Sequence, residues 1–230
     1  MTPLVLLPGM MCDARLFAPQ IGALSGRHAI HCAPIGGHDT MPALAAEVLA
    51  HAPPRFALVG LSMGGILAME VVRQAPDRVE RLALMDTNPL AEAPEAQARR
   101  ASQIAAVESG DLRRVMREEM KPNYLAEGPG RQAILDLCME MAEHLGPQVF
   151  VRQSRALRDR PDQTETLRAF RGPALVLCGR HDLPCPVSRH ELMHDLIPGS
   201  RLQIVEEAGH LTTLEAPRRV SALLEDSLTT

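Results

Sequence analysis

The sequence predicts an α/β fold in which a mostly parallel sheet of about six strands carries helices on both faces. Short, continuously apolar runs alternate with helical patterns along the 230-residue chain, which is typical of strands covered on both sides. Residues 89–162 break this alternation, because they contain helical patterns and no strand-like run. We therefore predict a core formed by residues 1–88 and 163–230, with a helical segment of residues 89–162 inserted between its strands.

Six runs are predicted as strands from their apolar side chains and from the turn residues beside them. Pro8-Gly9 closes the first run, and Pro198-Gly199 precedes the last. Helical patterns separate most of the runs, so right-handed βαβ crossovers are expected. The predicted strands are residues 4–7, 29–33, 56–59, 81–85, 174–178 and 201–205.

Four helices are predicted in the inserted segment from apolar spacing and from proline and glycine stops. Pro94 stands at a first helical position, where proline is favoured, and Gly110 ends that helix. The Gly146-Pro147 pair separates the third helix from the fourth. The predicted helices cover residues 94–109, 112–120, 134–145 and 150–158.

Composition and charge exclude several classes of partner. The formal net charge is -4, so no basic excess is available to neutralise nucleic-acid phosphates. Aromatic residues make up 2% of the chain, which argues against a base-stacking platform. Five scattered cysteines predict no disulfide framework and favour the reducing cytoplasm. No signal peptide and no apolar stretch of roughly 20 residues is recognised, so no membrane partner is expected. The oligomeric state is left open.

A G-x-S-x-G pattern, residues 60–64, follows the third predicted strand and precedes an apolar helix. A sharp turn from strand to helix strains the backbone of its central residue, and the flanking glycines let strand and helix pass closely. Ser62 is therefore predicted as a nucleophile exposed at the carboxyl end of the sheet. The alternative is a loop serine between packing glycines.

A serine hydroxyl needs a base, and in this fold class an acid and then a histidine follow the serine along the chain. Asp182 follows the fifth strand and His210 the sixth, so both should lie at the sheet edge that carries Ser62. We predict that His210 is the base and that Asp182 orients it. A surface histidine and a helix-capping aspartate are the alternatives. Asp86, after the fourth strand, competes for the acid role, although a cap or turn position is favoured for it.

Two backbone N–H groups are predicted to stabilise a developing oxyanion. One belongs to Met63, directly after the proposed nucleophile, and the other to Met10, in the loop after the first strand. Side-chain identity carries little information about this role, because only the backbone takes part. The alternative for both methionines is ordinary packing, which is compatible with the backbone role.

These motifs resemble those of the α/β-hydrolase family, over nearly the whole chain outside residues 89–162. Residues 6–13 are similar to the family's oxyanion loop, although Pro8 stands where the family usually has histidine. Glu215 and Pro217 accompany the histidine as they do in the family. The other matching stretches are residues 56–88 around the serine, 178–182 with Pro184 around the acid, and 208–210 around the histidine.

The resemblance implies an α/β-hydrolase fold that lacks the family's first two strands, with the inserted segment as a cap over the site. It implies hydrolysis of a small carboxylic ester, lactone or thioester through an acyl-enzyme on Ser62, without a cofactor or metal. A serine argues against members that attack haloalkanes or epoxides with an aspartate. Acyl transfer and C–C bond hydrolysis are alternatives, and the absence of tryptophan weakens the second.

A second pattern suggests a different mechanism. His190, Glu191 and His194 form H-E-x-x-H, which is typical of zinc hydrolases with the glutamate as general base. Pro198 prevents a longer version of this pattern. The neighbouring apolar residues predict a helix packed on the sheet, with both histidines on its outer side. A zinc hydrolase therefore stays a lesser alternative.

Two further alternatives concern the inserted segment and the fold as a whole. Five of its arginines are predicted to form a solvated face, and a clamp for an anionic substrate is the alternative. A binding protein that kept the fold without turnover is also considered, because fold does not imply function. The arginines are Arg99, Arg100, Arg113, Arg114 and Arg117.

Overall fold

A sheet of six parallel strands organises the computed structural model, which describes residues 2–229. The strands lie in the order β2-β1-β3-β4-β5-β6, and every neighbouring pair is parallel. The predicted sheet is thereby confirmed. Its strands are β1 (Leu4–Leu7), β2 (Ile30–Cys32), β3 (Phe56–Leu61), β4 (Val79–Met85), β5 (Ala174–Gly179) and β6 (Arg201–Val205).

Helices connect the strands, as the alternating pattern predicts. In the core they are α1 (Ala18–Leu24), α2 (Met41–His51), α3 (Met63–Gln74), α7 (Thr164–Ala169), α8 (Val187–Leu196), α9 (Thr212–Glu215) and α10 (Pro217–Thr229). Between β4 and β5 the chain forms α4 (Pro94–Glu108), α5 (Leu112–Arg114) and α6 (Arg131–Arg158). Within residues 2–229, no helix combines the length and the hydropathy that crossing a bilayer requires.

Alternate side chains of the central strands β1, β3, β4 and β5 enter two hydrophobic clusters, one on each face of the sheet. Val5 and Leu7 of β1 pack in a cluster that includes residues of α2 and α3. Leu4 and Leu6 pack in the other cluster, with residues of α1 and α10. Because both faces of these central strands are covered, they read as apolar runs with little alternation, and this is why they could be predicted from the sequence. The edge strands β2 and β6 are less buried and less apolar.

The order of the strands in the sheet reverses direction at β1. β2 lies on one side of β1, whereas β3 and all later strands lie on the other side. Ligand sites of open α/β sheets lie at the carboxyl ends of strands beside such a reversal. The pairing of Leu7 with Gly60 brings the loop after β1 next to the loop after β3.

The inserted segment is helical, but less regular than the sequence predicts. The regular helix predicted over residues 112–120 is wrong, because only α5 is α-helical and Val115–Met120 forms a π-helix. Pro122, which has no N–H to donate, follows in a short 3₁₀ turn. The predicted third and fourth helices follow each other in α6 and are separated at Gly146, where φ is 79°, as the Gly146-Pro147 pair predicts.

Candidate active site

The turn between β3 and α3 holds Ser62 in a strained backbone. Its φ is 56°, in the left-handed region that side chains other than glycine rarely adopt. The Ser62 N–H donates to the Met85 carbonyl (2.9 Å), and the Ser62 carbonyl accepts the N–H of Gly65 (2.9 Å) and of Ile66 (3.1 Å). These hydrogen bonds fix the turn, so the serine stands between the strand end and the first turn of α3.

Two glycines of the G-x-S-x-G pattern are required by close approach of the backbone. A Cβ atom at Gly60 would lie 2.2 Å from the Gly64 carbonyl oxygen, inside any allowed contact. A Cβ atom at Gly64 would lie 1.9 Å from the carbonyl oxygen of Leu7 in β1. Glycine is therefore needed to let α3 start this close to the two strands, which agrees with the prediction.

Three predicted residues meet at the carboxyl edge of the sheet. His210 Nε2 lies 2.9 Å from Ser62 Oγ, and His210 Nδ1 lies 2.9 Å from Asp182 Oδ1. His210 and Asp182 are only 2% and 3% exposed, whereas Ser62 is half-buried. The arrangement is the one in which a histidine can accept the serine proton while a carboxylate holds its other ring nitrogen.

The backbone around Asp182 holds its carboxylate in place. Oδ1 also accepts the N–H of Cys185 at 2.8 Å. Its second oxygen, Oδ2, is buried and has no hydrogen-bond partner among residues 2–229. Because an unpaired buried carboxylate oxygen is costly, the hydrogen bonds that Oδ1 makes with His210 and Cys185 are the main compensation for the burial of Asp182.

Asp86 is a buried carboxyl group in a bend directly after β4, where its φ is 48°. The bend agrees with the turn position favoured from the sequence, whereas the cap position is wrong, because no helix within residues 2–229 begins there. The two Asp86 carboxyl oxygens accept the N–H of Gly179 (3.0 Å) and the hydroxyl of Thr212 (2.6 Å). Burial, followed by the charge of nearby Asp182, raises the pKa of Asp86 well above its ordinary value. Asp86 therefore ties β4 to β5 and α9, while Asp182 alone of the two contacts His210.

The loop that carries His210 is fixed by groups from the core and from the inserted segment. The Glu215 carboxylate accepts the N–H groups of Gly209 (2.9 Å), Leu211 (3.0 Å) and Ala126 (2.8 Å). The His210 N–H donates to the Tyr124 carbonyl at 2.6 Å. Sequence analysis gave Glu215 no role beyond the resemblance and missed the inserted segment's contribution, because no local pattern marks a contact made through backbone atoms.

Both predicted oxyanion donors lie beside the serine. Met10 and Met63 line the same cavity as Ser62, and neither N–H donates to another group within residues 2–229. The next residue, Met11, has a φ of 55° and donates its N–H to Gln153 Oε1 at 2.8 Å. Gln153 is a buried residue of α6 that sequence analysis missed, since one glutamine in a helix carries no signal.

The cavity above the serine has a volume of about 500 Å³. The core and the inserted segment both line it, and the segment's share is rich in charged and polar side chains. Its lining residues are Met10, Ser62, Met63, Ile66, Asn88, Glu92, Ala96, Arg99, Arg100, Gln103, Glu119, Met120, Asn123, Tyr124, Leu157, Arg160, Leu183, Pro184, Cys185 and His210.

The structure does not assemble the H-E-x-x-H residues into a zinc site. His190 is fully buried, so its predicted position on the outer side of the helix is wrong. Its Nε2 accepts the N–H of Thr87 at 2.9 Å, and burial lowers its pKa to about 4. His194 Nδ1 lies 2.8 Å from Ser200 Oγ. These ring nitrogens therefore have protein partners where a metal would need free lone pairs.

A second set of possible metal ligands coincides with the predicted site. Single atoms of Asp182, Cys185 and His210 lie within 4.8 Å of one another. Asp182 and His210 already bind each other, and burial raises the pKa of the Cys185 thiol well above its ordinary value. Because metals bind the thiolate, this set suits a hydrogen-bonded acid and base better than a metal ion.

Comparison with known proteins agrees with the geometry. Pimeloyl-[acyl-carrier protein] methyl ester esterase of Aeromonas hydrophila is 24% identical, over 96% of this chain and 93% of its own. A thermophilic esterase from Thermogutta terrifontis, solved with malate bound, superposes with a TM-score of 0.90 and 28% identity, over 99% of this chain and 89% of its own. The enol-lactonase of Burkholderia xenovorans LB400 shares the fold, with a TM-score of 0.87 and 23% identity, over 100% of this chain and 92% of its own.

The sequence model of the alpha/beta hydrolase family matches residues 4–223, which include every strand and the whole inserted segment. The six-stranded sheet, the strained serine between β3 and α3, and the order of the serine, the aspartate and the histidine along the chain agree with that match. The chain belongs to the alpha/beta hydrolase family and is a hydrolase.

Proposed function

We propose that this hydrolase cleaves a small carboxylic ester through an acyl-enzyme on Ser62. The observation that carries the proposal is the continuous hydrogen-bonded chain from Ser62 through His210 to Asp182, at a cavity of about 500 Å³. A serine hydroxyl that is hydrogen-bonded to a base can lose its proton to that base and act as a nucleophile. The cavity has room for a small molecule.

In the first half-reaction His210 Nε2 takes the proton of Ser62 Oγ as this oxygen attacks the ester carbonyl carbon. The carbonyl oxygen becomes an oxyanion, which the N–H groups of Met10 and Met63 stabilise. Asp182 stabilises the resulting imidazolium. When the tetrahedral intermediate collapses, the bond to the alcohol breaks, and the alcohol leaves with the proton from His210.

In the second half-reaction water replaces the alcohol. His210 removes a proton from the water molecule, whose oxygen attacks the acyl carbon, and a second oxyanion forms in the same place. The bond to Ser62 Oγ then breaks, the serine regains its proton from His210, and the carboxylic acid leaves. Acyl transfer differs only in that an acceptor other than water enters at this step.

We assign to residues 89–162 the role of a cap that selects the substrate. Support comes from the cavity, since α4 and the residues after α5 provide a large part of its lining. The relatives support the substrate class, because the Aeromonas hydrophila relative is named for a methyl ester and the Thermogutta terrifontis neighbour is an esterase. We extend the class to lactones, which are cyclic esters open to the same attack.

The test is covalent labelling combined with turnover. A fluorophosphonate should label the protein once, with the modified peptide containing Ser62, and Ser62→Ala should neither be labelled nor hydrolyse p-nitrophenyl acetate. Ser102→Ala, an exposed serine of α4, is the matched control and should behave as the wild type. Labelling at another residue, or turnover by Ser62→Ala, would refute the proposal. Activity lost to a chelator would favour the zinc alternative.

A further inference from the structure

The charged side chains that line the cavity include more positive than negative groups. Three guanidinium groups line it, those of Arg99, Arg100 and Arg160, against the carboxylates of Glu92 and Glu119. Since an enclosed charge is weakly screened, what each of these groups contacts determines which kind of substrate the cavity attracts.

A single carboxylate, that of Glu92, is shared by two arginines. Its Oε2 accepts Arg100 Nε, and its Oε1 lies 3.1 Å from Arg160 Nη1. All three side chains are largely buried, with exposed fractions of 18%, 6% and 9% for Arg100, Arg160 and Glu92. Arg160 also donates to the Leu90 carbonyl at 2.9 Å, so it is anchored to the protein.

The second carboxylate of the cavity is also satisfied. Glu119 Oε1 accepts Arg114 Nη1 at 2.8 Å, and Oε2 accepts Gln103 Nε2 at 3.1 Å. Arg99 is exposed at the rim and forms no ion pair or hydrogen bond within residues 2–229. Neither carboxylate of the cavity is therefore left to neutralise the remaining positive charge.

The largely buried guanidinium of Arg100 has donors that no oxygen atom within residues 2–229 accepts. Only its Nε is used by Glu92, while Nη1 lies 3.8 Å from Met10 Sδ. Met10 is the residue whose N–H we assign to the oxyanion. A group bound by Arg100 would therefore lie a short distance from the ester carbonyl.

We infer that the natural substrate carries a carboxylate close to its ester group, and that Arg100, assisted by Arg99, binds this carboxylate. The inference deepens the proposed function and rests on it. Guanidinium groups match carboxylates in geometry and charge, and partial burial strengthens the attraction. The substrate class is then a half-ester of a short dicarboxylic acid, or a lactone that bears a carboxylate.

The closing experiment compares monomethyl succinate with dimethyl succinate, which differ in one charge and one methyl group. The wild type should hydrolyse the half-ester with the higher kcat/KM, and added salt should reduce this preference. Arg100→Gln should lower kcat/KM for the half-ester by about 10- to 100-fold, mainly by raising KM, and should reduce the preference at least ~10-fold. Arg100→Lys, which keeps the charge, should fall between the two.

Arg113→Gln is the matched control, because Arg113 is exposed on the inserted segment and pairs with Glu143 away from the cavity. It should leave the preference unchanged. A preference for the diester, or an equal loss of both activities in a folded Arg100→Gln protein, would overturn the inference. Binding of succinate itself is the second measurement, by calorimetry on wild type and Arg100→Gln. If neither ester is cleaved but succinate binds through Arg100, the ester chemistry fails and the anionic site stands. If succinate does not bind, the anionic site fails.

Discussion

The core and the inserted segment contribute to the cavity in different ways. From the core come Ser62, Asp182 and His210, each placed in the turn or loop that follows a strand and held by short contacts to neighbouring backbone. From the inserted segment come long charged side chains, with Arg100 and Arg160 around Glu92. We therefore propose that the strand ends fix the chemistry, whereas the inserted segment adjusts which substrate reaches it.

This division is incomplete, because the inserted segment also holds two loops of the core. The Tyr124 carbonyl accepts the His210 N–H, and Gln153 accepts the Met11 N–H. Substitutions of the core residues Ser62, His210 and Asp182 should therefore abolish or nearly abolish the chemical step, whereas substitutions in the segment should weaken it or change its selectivity. The predictions that follow test this difference from the largest effect to the smallest.

The largest effect is expected when the nucleophile and the base are removed. Ser62→Ala and His210→Ala should each lower kcat by at least ~10⁴-fold, and the double variant should be hardly slower than either, because the two residues act as one unit. Steady-state hydrolysis of p-nitrophenyl acetate by the three variants is the measurement. Additive losses would mean that Ser62 and His210 work independently.

The two buried aspartates should differ widely in their effect. Asp182→Asn should lower kcat by ~10³- to 10⁴-fold, because an amide cannot stabilise the imidazolium and favours the wrong tautomer. Asp86→Asn should cost less than ~10-fold, since Asp86 binds Gly179 and Thr212 and not His210, and its burial disfavours the charge that asparagine lacks. Comparison of kcat for the two variants shows which aspartate supports His210. If Asp86→Asn lost more activity than Asp182→Asn, Asp86 would be the acid.

Much of the core could be predicted from the sequence because its signals are local. A buried parallel strand is a short apolar run, and the turn around Ser62 needs glycine at Gly60 and Gly64, where a Cβ atom would collide with backbone. His210 and Asp182 could be placed because carboxyl ends of parallel strands share one edge. The buried position of Asp86 could not, since it depends on Gly179 and Thr212, which lie far away in the chain.

The sequence predicts the helices of the inserted segment, and the resemblance predicts its place as a cap, but neither predicts its contacts with the site, for a physical reason. Its contributions to the site are contacts between residues distant in sequence, such as Glu92 with Arg160. The arginines looked like a solvated face, and Arg113 is exposed as predicted, whereas Arg100 is largely buried in the cavity. Helical periodicity records which face is apolar but not which arginine folds over the core.

An intermediate effect is expected at Gln153, where the segment holds the oxyanion loop. Gln153→Leu keeps the volume but leaves the buried Met11 N–H without an acceptor, which should lower the free energy of unfolding by about 1–3 kcal/mol. Because Met10 precedes Met11, kcat should also fall by roughly 10-fold. Gln132→Leu, at an exposed position of the same helix, is the control. An unchanged kcat would show that this contact does not position the loop.

The smallest effect on turnover is expected at His190, a core residue outside the chemistry. Burial lowers its pKa to about 4, below the value of about 6.5 for an unfolded histidine. The unfolded chain therefore binds more protons between these pH values, and the free energy of unfolding falls as the pH is lowered through this window. Asp86, with its raised pKa, acts in the opposite direction, so only the difference between wild type and a His190 variant isolates the effect.

His190→Gln retains an acceptor for the Thr87 N–H and removes the titration. Between pH 7 and pH 5 the wild type should lose about 2 kcal/mol of unfolding free energy relative to His190→Gln, as measured by urea unfolding. Turnover at pH 7 should change by less than ~3-fold, because the hydrogen bonds of His190 reach Ser62 through Thr87, whose hydroxyl donates to the Ser62 carbonyl at 2.7 Å, and the glutamine of His190→Gln would keep the acceptor for the Thr87 N–H. His51→Gln, at an exposed position of α2, is the control. Between pH 7 and pH 5 it should lose as much unfolding free energy as the wild type. Equal pH dependence in wild type and His190→Gln would mean that His190 titrates in the folded protein as it does in the unfolded chain. A large loss of turnover would instead place His190 among the groups that hold the nucleophile, and the chemistry would then extend further into the core than the strand ends.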